Sequence, residues 1–501
     1  MSEPTVIIVG GGIAGLSAGC YAQMNGYRTT ILESHRIPGG LCTAWKRKGY
    51  NFDISMHFFT GARSGPLHRM WRELGVITGR TFHDLSEFGR VEGRHATVSY
   101  NCDRAALQSQ LLSISPEDAS LIRRFVALLF GPSPMGALPM DPEEVAGPLQ
   151  SVKAFSKLLP VMPAFVRFGK ETLQDFAAGF RSPFLRQAVR FVIDSPGWPM
   201  VEFPMVVLAG FFNRAADQAT VPLGGSQGVV FAMADRFRAL GGELRLSARV
   251  EDLLLENDRA VGVRLADGEE IRGDTVIWAA DGHHLIFDLL GGRYVNERIR
   301  NMYERWIPVR PLVHVALGVA RDLGAEPARF VYELEKPIEI AGETRRWISI
   351  LHHGFDPSTA PAGKTALEVW YPTRHDLWVR LAEDREAYEE EKRRVADITL
   401  GALEERFSGL SRDVEVVDVP TPHTYIRYTG NWRASPDGWY ITCDNMRATP
   451  LRTLPGLSDL FMVGQWTAPF TGTPIAALTG RQVVQVLCHR DGRPFRTSEP
   501  A

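Results

Sequence analysis

The stretch Thr5–Glu33, TVIIVGGGIAGLSAGCYAQMNGYRTTILE, decides the fold. Thr5 to Val9 is a short β-branched run, suited to a buried strand of a parallel sheet. Gly10-Gly11-Gly12-Ile13-Ala14-Gly15 follows and satisfies the pattern GxGxxG. Leu16 to Asn25 predicts a helix that Gly26 ends, and Tyr27 to Leu32 predicts a second strand closed by Glu33. The glycine pattern alone says little, but between a strand and a helix it points to a dinucleotide site. Gly10 permits the tight turn, and Gly15 lets helix and strand pack closely. Gly12, followed by Ile13 and Ala14 within the turn, lets backbone N–H groups approach a pyrophosphate whose charge the helix dipole favours. Glu33, 18 positions beyond Gly15, falls where a carboxylate meets a ribose hydroxyl. The plainer alternative is a glycine-rich turn in a nucleotide-free α/β domain.

The next residues bear on which nucleotide is held. An NAD domain would proceed to another helix and strand soon after the acidic residue. Here Pro38-Gly39-Gly40-Leu41 makes a turn, and Gly49-Tyr50-Asn51-Phe52-Asp53 follows a short basic segment. This resembles the second nucleotide segment of the large flavoprotein group that includes amine oxidases and carotenoid desaturases. The resemblance implies that Gly39, Gly40 and Leu41 pass close to the phosphates of FAD and that the following segment reaches toward the flavin.

Bulk properties narrow the class. The 501 residues suffice for two or three folding units. Net charge is −2 and no long basic block occurs, which argues against a nucleic-acid partner. The five cysteines are scattered, with no CxxC pair, so neither a disulfide framework nor a metal site is indicated. A reducing, cytoplasmic setting is the simplest reading. The N-terminus has no signal-peptide pattern, and no run reaches the about 20 apolar residues of a spanning helix.

Further along, Leu67 to Ala105 predicts a small sheet, and Ala106 to Asn213 is helical in pattern. Two apolar pieces, Phe155–Lys170 and Gly197–Phe212, are too short and too broken by proline to span a bilayer. Each can be domain core, the lining of an apolar tunnel, or a segment that dips into a membrane surface. A second nucleotide-domain block begins near Val221. Pro222 to Gly228 leads into a helix from Val229 to Leu240, then short strands follow, of which Val276–Ala280 returns to the dinucleotide sheet. Tyr294 to Pro450 alternates strands with one strongly charged helix, Asp384–Ser408, whose charges read as a solvated face. In the last block, Leu457–Leu487, a strand ends at Gly464 and a helix starts near Thr473-Pro474-Ile475. Its N-terminus can donate N–H groups to a flavin's carbonyl edge, and Gly480 suits close packing.

Three blocks, Val6–Asp53, Pro222–Ala280 and Leu457–Arg481, together with Thr421–Trp439 (TPHTYIRYTGNWRASPDGW), resemble the phytoene desaturase and carotenoid isomerase family, which includes retinol saturase. The resemblance implies an α/β fold with a discontinuous FAD-binding Rossmann domain of glutathione-reductase type, residues 1–75, 218–292 and 455–495. Residues 76–217 and 293–454 would form an inserted α+β substrate-binding domain. It places Val250 beside the adenine, and Ala280, Gly464, Pro474 and Ile475 along the cofactor. It implies an FAD-dependent oxidoreductase in which an apolar polyene or isoprenoid lipid gives a hydride to flavin N5. Flavin-dependent isomerisation or saturation of a polyene is the first alternative. Amine oxidation ranks lower, and a non-catalytic lipid escort, as in the Rab GDP-dissociation inhibitors of similar fold, ranks last. No second GxGxxG occurs, so a dedicated NAD(P)H domain is not expected, and the oligomeric state is not written in the sequence. Two departures stand out. Gln465-Trp466 replaces the small or acidic residue many relatives carry after the strand glycine, and the indole there can reshape the tunnel. Ser55-Met56-His57 stands where relatives often carry Gly-Pro, which makes His57 a candidate proton shuttle beside the flavin; the plainer reading is a hydrogen-bonded structural histidine.

Overall fold

The computed structural model describes residues 3–134, 138–147, 152, 155–192, 202–212, 220–469 and 472–500. The β-branched opening run forms strand β1 (Thr5–Val9), buried on both faces as a central parallel strand must be. It lies in a five-stranded parallel sheet with β2 (Arg28–Leu32), β3 (Glu243–Arg245), β4 (Thr275–Trp278) and β5 (Leu460–Met462). The order across the sheet is β5-β4-β1-β2-β3, so β1 lies between β2, its neighbour in sequence, and β4, from a distant part of the chain. Three helices pack on it: α1 (Ile13–Met24), α2 (Gly225–Ala239) and α3 (Gly472–Arg490).

α1 begins three residues before the expected Leu16, and α2 four before Val229. Both are capped by glycine, Gly12 and Gly224, with no side-chain capping bond. The usual Ser/Thr/Asp/Asn signal of a helix start is therefore missing from the sequence. α1 and α3 approach closely. A Cβ on Gly480 would sit 2.4 Å from the Ala14 carbonyl oxygen, and Ser17 Oγ donates to Ala477 O at 2.6 Å.

Seven further strands build a second sheet in the order Val414–Asp418, Leu312–Val319, Thr365–Pro372, Glu343–His352, Arg329–Ile340, Gly89–Glu92, Thr97–Tyr100. Only the Arg329–Ile340 and Gly89–Glu92 pair is parallel. Its two faces differ. Val313, Val315, Leu317 and Val319 pack with Val395 and Leu403 of the charged helix, which runs from Arg385 to Arg406. Ala316 and Ala366 face the other way, onto Tyr50 and Phe52 of the hairpin Ala44–Arg47/Tyr50–Asp53. That hairpin joins the seven-stranded sheet to the glycine turns.

Some expectations change. The Leu67–Ala105 region opens with a helix, Gly65–Glu73, before its strands, because Leu67, Met70 and Trp71 recur at helical spacing and are buried. Between Tyr294 and Pro450 the charged helix is joined by Glu297–Arg305, His375–Leu381 and Pro422–Thr429, each too short to stand out by periodicity. The two apolar pieces part company. Residues 197–201 of the second lie outside the described residues, and from Phe203 to Phe212 it is mostly buried core. The first folds as helical turns over Leu159–Val161 and Met162–Phe168, with much of its surface in water. Among the described residues no helix is long and apolar enough to cross a membrane.

Candidate functional site

The site grows from the end of β1. Gly10 turns the chain at φ +107°, where a Cβ would sit 2.9 Å from the Ala279 carbonyl oxygen on β4's exit. The second glycine turn folds onto the first: Gly39 N donates to Gly11 O at 3.0 Å, and Gly12 and Gly39 form a parallel bridge. Glu33, at the end of β2, is held from inside. Its Oε2 accepts from Gly11 N and its Oε1 from His35 N, both at 2.8 Å. The backbone link Ala248 N to Glu33 O, 2.8 Å, brings the second nucleotide block alongside.

These elements enclose one cavity. Of the residues expected at a cofactor, Gly10, Gly12, Ile13, Ala14, Glu33, Gly39, Gly40, Leu41, Ala280 and Gly464 line it. Gly15 does not; it packs α1 against the turn, where a Cβ would lie 2.0 Å from the Gly10 carbonyl oxygen. Val250 opens the strand Val250–Glu256 outside the cavity wall, two residues beyond the contact of Ala248 with Glu33. Pro474 and Ile475 lie in the first turn of α3, but Gly472, Thr473 and Ala476 are the residues of that turn that reach the cavity.

Gly12 tests whether a dinucleotide fits. It has an ordinary φ of −75°, and a Cβ there would meet only Gly39 O, at 3.7 Å. Neither backbone conformation nor packing within the chain requires glycine at this position. Its bare Cα faces the cavity beside the start of α1, as close approach of a pyrophosphate to a helix N-terminus would require.

The cavity wall also carries polar and aromatic residues, and the sequence reading did not name Asp281, Asn431 and Asp437 among them. Asp281 follows β4 and accepts from His284 N at 2.7 Å and Trp432 N at 2.8 Å. Asp437 accepts from Gly472 N, at the start of α3, at 3.2 Å. Burial pushes each carboxyl up to about 6, against the pull of those N–H groups. Asn431 Oδ1 accepts from Trp466 Nε1 at 2.8 Å and Gln465 Nε2 at 2.9 Å. The Trp466 indole is buried, with Trp439 and Trp432 at ring distances of 5.2 and 5.5 Å. The signals that could have found the two aspartates are the Ala280-Asp281-Gly282 turn after β4 and the Pro436-Asp437-Gly438 turn inside the Thr421–Trp439 block.

His57 is not in the cavity wall, although Ser55 is. It lies edge-on to Phe58 and Trp370, at ring distances of 5.0 and 5.8 Å, and burial, with Arg329 and His353 nearby, lowers it to about 3. It borders a buried polar cluster between the hairpin and the seven-stranded sheet. Asp53 accepts from Ser226 N and Oγ at 2.6 Å and donates its own N–H to Glu368 Oε1 at 2.8 Å. Glu368 Oε2 is 3.4 Å from His314 Nε2, which accepts from Trp370 Nε1 at 2.7 Å. Burial raises Glu368 to about 8 and lowers His314 to about 3, so near neutral pH the pair is an uncharged acid beside an uncharged base. Among the described residues no group of His, Cys, Asp and Glu could hold a metal ion.

Comparison with known proteins gives a consistent result. The family described as flavin containing amine oxidoreductase matches residues 13–488. A neurosporene-forming phytoene desaturase of Cereibacter sphaeroides is 24% identical over 99% of this chain and 96% of its own length. A chloroplastic prolycopene isomerase of Daucus carota is 24% identical over 95% of this chain and 79% of its own length. Among solved structures, the cyclohexylamine oxidase of Brevibacterium oxydans superimposes with a TM-score of 0.60 at 16% identity, covering 98% of this chain and all of that one. That likeness speaks to the fold.

Proposed function

This chain belongs to the flavin-containing amine oxidoreductase family, and we propose that, as an FAD-dependent oxidoreductase of that family, it acts on an apolar polyene or isoprenoid lipid. The observation that carries the substrate class is the end-to-end correspondence with a phytoene desaturase, across 99% of the chain. FAD, when bound, supplies the acceptor for a hydride.

In this reading Gly12, Ile13 and Ala14 receive the pyrophosphate, with Gly39, Gly40 and Leu41 closing over it. Glu33 takes the ribose at one end, and Val250 borders the adenine. Ala280, Gly464 and the first turn of α3, including Pro474 and Ile475, hold the other end. Gly10 and Gly15 shape the turn itself. His57 enters only as a neutral imidazole, because burial keeps it uncharged near neutral pH. We assign residues 1–75, 218–292 and 455–495 to a glutathione-reductase-like FAD-binding domain and 76–217 and 293–454 to an inserted substrate-binding domain. In support, all five strands of the parallel sheet fall in the first set and all seven of the larger sheet in the second.

Isomerisation of a polyene without net oxidation is the second reading, favoured by the likeness to prolycopene isomerase. One experiment separates them. The purified holoprotein is mixed anaerobically with a polyene lipid in liposomes, and its visible spectrum is followed while the lipid is extracted and analysed. Bleaching of the oxidised flavin band with new double bonds in the lipid is the expected result. Altered double-bond geometry with no net change in the flavin band selects isomerisation. An inert lipid, with bleaching by an amine instead, defeats the polyene reading.

A further inference from the structure

Among the described residues, Tyr428 alone of the large hydrophobic side chains left exposed lines the cavity proposed for FAD. It is 51% exposed. Its ring meets the His35 imidazole edge to face, with centroids 5.4 Å apart, which sets it beside Glu33 at the ribose end.

Both rings are anchored from behind. Tyr428 sits in the last turn of the helix Pro422–Thr429. Tyr425 and Ile426 of that helix pack in one cluster with Leu41 of the second glycine turn, and Thr429 Oγ1 donates back to Tyr425 O at 2.7 Å. Arg427 holds its guanidinium 5.6 Å from the Tyr428 ring. On the facing side, His35 N donates to Glu33 Oε1 at 2.8 Å and His35 O accepts from Ser247 N at 3.0 Å. The imidazole is thus fixed two residues from the carboxylate assigned to the ribose. Among the described residues no hydrogen bond or ion pair joins residues 33–36 to the helix Pro422–Thr429, so the two sides meet there through their rings.

The adenine of FAD is bonded to the ribose that Glu33 takes, so it falls beside this pair. Every base has a face that stacks on aromatic side chains. Val250, the adenine neighbour implied by the sequence, stands outside the cavity wall and leaves that end of the cofactor without a contact from within the cavity.

We propose that Tyr428 and His35 form an aromatic clasp that holds the adenine of bound FAD. The proposal rests on the assignment of FAD to this cavity and deepens it. Tyr428 lies in the part of the chain assigned to the substrate, so that part shares in retaining the cofactor.

FAD release is followed by diluting the holoprotein into flavin-free buffer and filtering at intervals. Tyr428→Ala should release FAD about tenfold faster than the parent, as loss of one base–aromatic contact implies. Tyr428→Phe keeps the ring and should release it at the parent rate, and His35→Ala should fall between the two. Thermal midpoints separate this role from a structural one. Stripped of FAD, parent and Tyr428→Ala should melt together, because the side chain is exposed; at one fixed FAD concentration the variant should melt lower. Release from Tyr428→Ala at the parent rate, or midpoints lowered equally with and without FAD, would overturn the proposal. So would Tyr428→Phe releasing FAD as fast as Tyr428→Ala. Parent protein that carries no flavin and takes up none would instead defeat the assignment of FAD itself.

Discussion

Gly12 and Gly15 belong to one motif, yet the structure sets them different tasks. Gly15 is demanded by the chain, whereas a side chain at Gly12 would project into the cavity. Gly12→Val is therefore expected to fold, by circular dichroism and yield, but to purify without the flavin absorbance of the parent. Undiminished flavin would defeat the assignment of the pyrophosphate to this turn. Glu368 supports a second prediction. Its carboxyl sits at about 8 in the folded chain against an ordinary 4.5. Between those values the folded protein keeps a proton that the unfolded chain releases, so stability falls as pH rises through the window and levels off above it. The slope is at most about 1.4 kcal/mol per pH unit. Glu368→Gln cannot titrate, so its denaturation midpoint should change less than the parent's between pH 5 and pH 8, and it should gain on the parent toward pH 8. A difference between the two that is constant with pH would refute this. The glycine turns were legible because their residues lie close together in sequence, between a strand and a helix. Asp281, Asn431 and Asp437 were not, because they acquire a place only when β4, the Thr421–Trp439 block and α3 converge.

Among the elements, α1 and α3 carry the tightest tolerance. Gly480 lets α3 lie against Ala14 and Ala18, and Ala14 is itself part of the cavity wall. Gly480→Leu should overpack this contact, costing roughly 1–3 kcal/mol or more. Differential scanning fluorimetry should show a lowered midpoint, and flavin should be held more weakly. An unchanged midpoint with full flavin content would mean the two helices can part without consequence. Strands were the readable elements, since β1 and β4 are near-continuous apolar runs. Helix starts were not, where glycine replaced the polar cap, and neither were helices under about three turns, where periodicity has too few repeats to register.

Across the whole molecule, the cavity proposed for FAD is walled by residues from widely separated parts of the chain. FAD should therefore stabilise the entire assembly. Bound at about a thousandfold over its dissociation constant, a ligand adds roughly 4 kcal/mol. Removing FAD should lower the thermal midpoint, and adding it back should restore it; equal midpoints for the two forms would place the cofactor elsewhere. The overall plan was readable from the glycine turns and the returning strands. Which apolar segment faces outward was not: Phe155–Lys170 and Gly197–Phe212 have similar compositions, and only tertiary packing separates a surface stripe from a core.

The order of strands across the parallel sheet also sets a timetable. During synthesis the glycine turns emerge about 420 residues before β5 and α3, which supply Gly464, Gly472 and Thr473 to the cavity. At ~5–20 residues per second the interval is roughly tens of seconds. A nascent chain thus leaves β1 with one neighbour from its own locality and awaits the rest. Completion of the cavity consequently waits until β5 and α3 have been made, and the apolar edges of the unfinished sheet are exposed to chaperones until then.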